Sequence, residues 1–307
     1  MENTYYPEGV FTRSEDDGHT FSLSGLERAM ESGRILEGKV VLCDTYHNLH
    51  VELGGYRGII PRQEAVYCPS DEPVKDIAVI TRVGKKVCFK VTDIEKQDGK
   101  VKITLSRRLA QKECHENYIN GLSCGDVIYA SVTHMEKFGV FCDIGCGLTA
   151  LLPIDCISVS RINHPDERFY TGQIIKCVIR YIEKDICRVT LTHKELLGTW
   201  QENAEAFSAG ETVTGIVRSV RPYGIFVELS PNLAGLAEWC GDVVEGQTAA
   251  VYIKSIIPEK MKIKLVIVDV SEEEVQSREI NYHFDDDHMD CWKYSPDGCV
   301  KEIYTEF

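Results

Sequence analysis

The stretch CGDVIYASVTHMEKFGVFCDIGCGLTALLP, residues 124–153, decides how this chain is read. Its pattern recurs on both sides, as EGKVVLCDTYHNLHVELGGYRGIIP from Glu37 and AGETVTGIVRSVRPYGIFVELSPNLAGLAE from Ala209. The opening glycines, Gly38, Gly125 and Gly210, are 87 and 85 residues apart. A period that long allows one small domain per repeat, because roughly 70 residues can close a core of their own and a solenoid unit cannot. Three related modules are expected.

Each repeat ends on a second shared element. Gly84, Gly172 and Gly246 introduce the alternating stretches KKVCFKVTDIE, QIIKCVIRYIE and QTAAVYIKSII. A short closing strand follows: KITLSRR after Val101, RVTLTHK after Cys187 and KIKLVIV after Met261. Alternation with period two, rich in Val, Ile, Tyr and Phe and broken at Gly or Asn, marks half-buried strands. Two strands precede the Gly-Leu turn of each repeat, one follows it, and two close the unit. Five short antiparallel strands must hide their edges, and a closed barrel of the oligonucleotide-binding type does so with that strand count. The expected fold is all-β, three tandem five-stranded barrels joined by short helices, with acidic terminal arms.

Composition narrows the function. The 307 residues are 43% apolar with no run of 18 apolar residues, so no membrane span is expected. The first twenty residues lack a basic stretch leading into an apolar one, and no secretory signal is read there. Thirteen cysteines include no C-x-x-C pair, and Cys142-x-x-x-Cys146 has no second pair or His at zinc-finger spacing. Cys88, Cys142 and Cys177 fall where Val would serve and read as small buried thiols of a reducing cytoplasm. The DDDH run before Met289, with His283, reads as a solvated acidic stretch, so no metal and no cofactor are expected. There is no phosphate-binding G-x-x-x-x-G-K loop, no G-x-S-x-G elbow and no H-E-x-x-H helix, so neither a catalytic residue nor a small-molecule substrate is expected.

The net charge of −14 is unevenly spread. Basic against acidic residues number 13 to 10 in 37–110, 8 to 8 in 124–194 and 6 to 7 in 209–270, but 3 to 11 in 271–307. The repeats are near neutral, so the acidic surplus belongs to arms and connectors, where it would compete with nucleic acid for a basic face.

The order Gly-x-x-Val, aromatic-Gly-x-Phe, Gly-Leu, a second Gly-x-x-Val and Leu-Ser resembles the RNA-binding repeat of the ribosomal protein S1 family, in a short three-repeat bacterial form. FGVFCDIG from Phe138, YGIFVELS from Tyr223 and TLSRR from Thr104 carry the resemblance, which covers about 70% of the chain, from near Leu36 to near Val270. The expected division is an arm 1–35, a barrel 36–110, a connector helix 111–122, a barrel 123–194, a connector helix 195–208, a barrel 209–270 and an acidic tail 271–307, whose Trp292, Tyr294 and Tyr304 leave open whether it folds back on the third barrel or meets a partner. In the second connector Leu196 or Leu197, Trp200, Ala204 and Phe207 form one helical stripe that packs onto a barrel.

Single strands are held by exposed aromatic faces and by cations along the backbone path. The candidates are Phe138 with Phe141 around Gly139, and Tyr223 with Phe226 around Gly224. The first repeat departs from the pattern, with His47 and His50 at the aromatic positions and Asn48 in place of glycine. The family's cation before the closing leucine matches Lys102, Arg188 and Lys262. The family's third-strand histidine is absent: those positions read Pro61, Pro153 and Glu238. Arg218 and Arg221 are expected to flank the third platform. The resemblance implies a cytoplasmic, non-catalytic protein of translation that binds single-stranded mRNA and docks at the small ribosomal subunit. The alternative readings are a protein-interaction scaffold built on barrels that have lost RNA, and an RNA chaperone or decay adaptor.

Overall fold

The computed structural model describes residues 5–10, 20–69, 74–97, 100–238, 241, 243–271 and 280–307. Three closed five-stranded barrels follow one another. The first is β1 (Leu36–Cys43), β2 (Leu49–Leu53), β3 (Tyr56–Ile60), β4 (Lys86–Gln97) and β5 (Lys100–Ser106). The second is β6 (Val127–Glu136), β7 (Gly139–Asp143), β8 (Thr149–Pro153), β9 (Ile174–Glu183) and β10 (Arg188–Thr192). The third is β11 (Thr212–Arg221), β12 (Gly224–Ser230), β13 (Leu233–Ala237), β14 (Thr248–Ile257) and β15 (Lys262–Ser271). In the first and third the order is first, second, third, fifth, fourth, with the third and fifth strands parallel and the other neighbours antiparallel. The second closes the same ring, read from its fifth strand. This is the oligonucleotide-binding arrangement, and closure leaves no long edge to pair with another chain.

The residues form two compact units, Met1–Leu122 with Cys142–Ala150 and Ile182–Val189, and Ser123–Phe141 with Leu151–Tyr181 and Thr190–Phe307. In the first unit the alternation of β2 puts Leu49, Val51 and Leu53 in the core with Val40, Phe89 and Leu105. The acidic run of the expected N-terminal arm, residues 15–17, lies outside the described residues, and a helix follows it. Helix α1 (Leu23–Ser32) starts where the Ser22 Oγ accepts from the Gly25 N–H and stops at Gly33 in the left-handed region, φ 65°. It puts Leu26 and Ala29 into the first core. Further upstream, Glu8 is paired with the buried guanidinium of Arg107 at 2.7 Å, and the Glu8 N–H donates to Asp143 at 2.7 Å. Gly147, at φ 79°, leaves room for that pair, since a Cβ there would lie 1.9 Å from Arg107 Nη2. A short helix, α2 (Asp76–Ile80), fills part of the long excursion between β3 and β4.

The helix after the first barrel, α3 (Arg107–Asn117), starts four residues earlier than expected. The Ser106 hydroxyl accepts from the Leu109 N–H and ends the strand in favour of a helix. In the second unit the connector is not one helix either. A 3-10 turn over Lys194–Leu197 is broken at Gly198, φ 81°, and α4 (Trp200–Ala204) begins in a capping box between Thr199 and Glu202. The apolar stripe survives the break, because Trp200 and Ala204 are buried in the third barrel's core with Leu196, and Phe207 packs against it.

Of the two roles left open for the tail, residues 280–307 take the fold-back one: Met289, Trp292 and Tyr294 are buried in the third barrel's core. The Tyr294 hydroxyl donates to the Asn232 carbonyl at 2.5 Å, and β16 (Cys291–Lys293) pairs with β17 (Tyr304–Glu306). Three aromatic or thioether side chains outweigh the acidic residues around them, which remain at the surface. The acidic segment 272–279 lies outside the described residues.

The tail also completes a buried polar relay. His193 Nδ1–H donates to the Ile157 carbonyl at 2.9 Å, and its Nε2 faces the Tyr282 hydroxyl at 3.3 Å, which in turn accepts from the Lys176 N–H at 3.0 Å. This relay is satisfied by neutral imidazole, and burial pushes the His193 pKa down to about 4. The folded value lies below the unfolded one near 6.5, so this contribution is complete above about pH 6.5 and is lost as pH falls toward 4. The loss is on the order of 3 kcal/mol across that window. Urea unfolding of the parent and of His193→Gln at pH 7 and pH 4.5 checks it, since the variant should lose less on acidification. Equal losses in both would refute the assignment.

Candidate nucleic-acid interface

The third barrel shows the site most plainly. β11 and β12 meet at Arg221 and Gly224, so Tyr223 lies in the connecting turn and Phe226 two residues into the strand. An odd spacing in an unbroken strand would put these rings on opposite faces. Because Tyr223 precedes the strand, both rings share one face, with centroids 6.2 Å apart and planes at 85°. Gly224 is needed there for space, since a Cβ would lie 2.6 Å from the Ala237 carbonyl oxygen of β13. The second barrel repeats the arrangement. Phe138 and Phe141 are edge to face at 5.9 Å and 88°, and a Cβ at Gly139 would lie 2.5 Å from the Leu152 carbonyl oxygen. The leading ring of each pair is open to solvent, Tyr223 at 69% and Phe138 at 56%, while the second ring is half-buried. An edge-to-face pair with one free ring face is a ready stacking platform for a base.

A third ring extends the second platform. The imidazole of His134 lies parallel to Phe141 at 6.2 Å and 14°, with its Nε2 2.8 Å from Glu136. Sequence reading missed it because nothing in THMEKFG distinguishes an outward strand histidine from an ordinary surface one. The signal was its place five residues before Gly139, where the third barrel has Ser219, directly opposite Phe226.

The first barrel does not assemble the platform expected of His47 and His50. His47 takes a left-handed turn conformation, φ 61°, and its Nδ1 lies 3.3 Å from Asp76 of α2. His50 is drawn to Asp44 at 3.3 Å, and its other ring nitrogen is buried without a partner. Asp44 organises the whole turn. It accepts from the backbone N–H groups of Tyr46 and Asn48 and from the Asn48 side chain, all near 3 Å. These bonds, the Asn48 backbone N–H foremost, hold the carboxyl down at about 2. A polar network stands where the other barrels have rings.

The predicted cations lie off the platforms, near the tips of the last hairpins. Lys102 pairs with Glu95 at 3.0 Å and Arg188 with Glu183 at 3.5 Å, while exposed Lys262 is opposite Ile257. Arg218 is not a flanking cation at all. It is buried between Glu228 and Glu167, and Arg168 reaches the same Glu228 at 2.5 Å. Arg221 stays exposed beside Gly224. Glu238, just past β13, is exposed as well.

Comparison with known proteins follows the same lines. The S1 RNA binding domain model matches residues 30–106 and 123–194. Small ribosomal subunit protein bS1 of Staphylococcus aureus (strain N315) is 29% identical over 262 residues, covering 80% of this chain and 64% of that protein. The protein of the same name from Rhodopseudomonas palustris is 29% identical over 216 residues, covering 69% of this chain and 36% of its own. The chain thus spans just under two thirds of the first relative's length. A crystal structure of a multidomain protein with nucleic acid binding domains from Streptococcus pneumoniae TIGR4 covers 79% of this chain and 75% of its own, at 15% identity and a TM-score of 0.26. Residues 209–270, beyond the matched domains, form a barrel with the same strand order and the same glycine-flanked ring pair. Residues 30–106 and 123–194 thus match S1 RNA binding domains, and the chain is similar to bS1 over most of its length.

Proposed function

We propose that this chain is a non-catalytic, cytoplasmic RNA-binding protein of translation that holds single-stranded mRNA and works at the small ribosomal subunit. The observation that carries the reading is the pair of glycine-flanked ring platforms, Phe138 with Phe141 and Tyr223 with Phe226. Each offers an exposed π-face on a closed barrel, which suits unpaired bases and not the stacked interior of a duplex. The relatives' name, a protein of the small ribosomal subunit, supports the ribosomal assignment. Lys102, Arg188 and Lys262 serve as peripheral cations in this reading, not as partners of the stacked base.

A division of labour follows from the first barrel. Its histidines are engaged in polar networks, and Ile77 and Ile80 of α2 are exposed on the same module. That barrel is assigned to protein contact, and the scaffold reading holds for it alone.

Stacking contributes about 1–3 kcal/mol per base. Phe138→Ala and Tyr223→Ala should therefore each weaken binding of an unstructured RNA by about that amount and leave thermal unfolding unchanged, since both rings are largely exposed. Fluorescence anisotropy with labelled single-stranded and duplex RNA checks this. Unaltered affinity in the double variant would overturn the RNA reading in favour of a scaffold.

A further inference from the structure

We propose that Lys254 and Lys264 form a phosphate cradle beside the third platform, which makes the third barrel the principal RNA-binding module; the proposal rests on the RNA-binding reading above. The strand register supplies the geometry. Phe226 is opposite Ser219 on one side and Leu236 on the other, Leu236 is opposite Lys264, and Lys264 is opposite Ser255. Residues facing one another across a sheet share a face, so Phe226, Leu236 and Lys264 form one outward row. Leu236 and Lys264 are exposed and Phe226 is half-buried. The row spans two interstrand steps from the Phe226 backbone to the Lys264 backbone, about 10 Å. A bulge between Ile253 and Ser255 places Lys254 outside the ladder beside the same rung, and it too is exposed. Neither lysine takes part in an ion pair among the described residues.

The other barrels show what is specific here. Aligning the closing strands KITL, RVTL and KIKL puts Thr104, Thr190 and Lys264 at one position. Aligning VTDIE, IRYIE and IKSII puts Thr92, Arg180 and Lys254 at the other. The first barrel has the same bulge, between Val91 and Asp93, but there Thr92 donates to the Thr104 carbonyl at 3.0 Å and Asp93 is opposite Thr104. In the second, Thr190 is opposite Leu151 of β8 and Arg180 is turned to the Cys156 sulfur. Side-chain cations at this rung number none, one and two from the first barrel to the third. Ring pairs stand in the second and third barrels, Phe138–Phe141 and Tyr223–Phe226, and a histidine network in the first. A base on the rings and its neighbouring phosphates on two lysines is the combination that single-strand binding requires. The third barrel has both parts.

The test compares the full chain with Lys254→Thr/Lys264→Thr, which installs the first barrel's residues, and with Tyr223→Ala. The probe is a labelled twelve-residue polyuridine titrated from 50 to 300 mM salt. Two phosphate contacts to a single strand contribute about −1.4 to the slope of log affinity against log salt. The double threonine variant should flatten the slope by about that amount and weaken binding about tenfold at the lowest salt. Lys254→Arg/Lys264→Arg should keep the parent slope, and Thr190→Lys should steepen it by about 0.7. An unchanged slope in the double threonine variant, with Tyr223→Ala still weakening binding, would overturn the cradle and leave the RNA reading standing. A parent chain that does not bind the probe would overturn both.

Discussion

A chain ended at residue 279 will lose the cooperative unfolding transition of its second unit. Residues 280–307 bury Met289, Trp292 and Tyr294 in the third barrel's core, and truncating one large buried aromatic to Ala already costs about 3–5 kcal/mol. The segment also supplies Tyr282, which closes the relay to His193, and the Met289 N–H, which donates to the Gly125 carbonyl at 2.9 Å. The summed loss exceeds about 5 kcal/mol, comparable with the whole stability of an ordinary domain. Calorimetry of the shortened chain checks this, with hydrogen exchange locating the exposed amides. RNA affinity should fall with the fold. A shortened chain that melts like the parent and binds RNA more tightly at low salt would instead make residues 280–307 an electrostatic shield. That is what their charge suggests when the packing is ignored.

Removing the carboxylate of Glu228 is the second large effect. Glu228 is 2% exposed and is bound by Arg218 through Nε at 2.8 Å and Nη2 at 3.2 Å, and by Arg168 at 2.5 Å. Breaking a buried ion pair leaves an uncompensated charge in low dielectric, at a cost of about 3–5 kcal/mol. Glu228→Gln, close in shape, should lose about that much in urea unfolding at pH 7, with Arg168 left without its carboxylate partner. The additional change Arg168→Met should recover part of the loss by removing the stranded charge. An unchanged urea midpoint in Glu228→Gln would show the cluster to be well solvated. Because Glu228 lies two residues from Phe226 on the outward face of β12, the variant also reports whether the cluster holds the platform in place.

Strand count, barrel closure and the two ring platforms were legible because each rests on a local pattern. Alternation over a few residues sets which side chains face a core, and glycine between two aromatics records how closely one backbone approaches another. At Gly139 and Gly224 the nearest atoms to an added Cβ are carbonyl oxygens of the neighbouring strand. The motif is thus a packing constraint written in four residues.

Other features were not legible, because their causes are distant in sequence. The net charge of 271–307 is a sum over residues, whereas its placement is decided by Trp292 and Tyr294 finding a core formed some 60 residues earlier. Arg218 and Arg221 look alike in RSVRPYG, yet one is buried by Glu167 and Glu228 and the other is exposed. His47 and His50 occupy aromatic positions by alignment, and Asp44 and Asp76 draw them into hydrogen bonds. The sequence by itself determined three barrels and the two glycine-flanked ring pairs, since period and glycine spacing act between near neighbours. Only the tertiary structure decided which charges are free, what the tail covers and which barrel joins rings to lysines, since burial and register depend on residues brought together from distant parts of the chain.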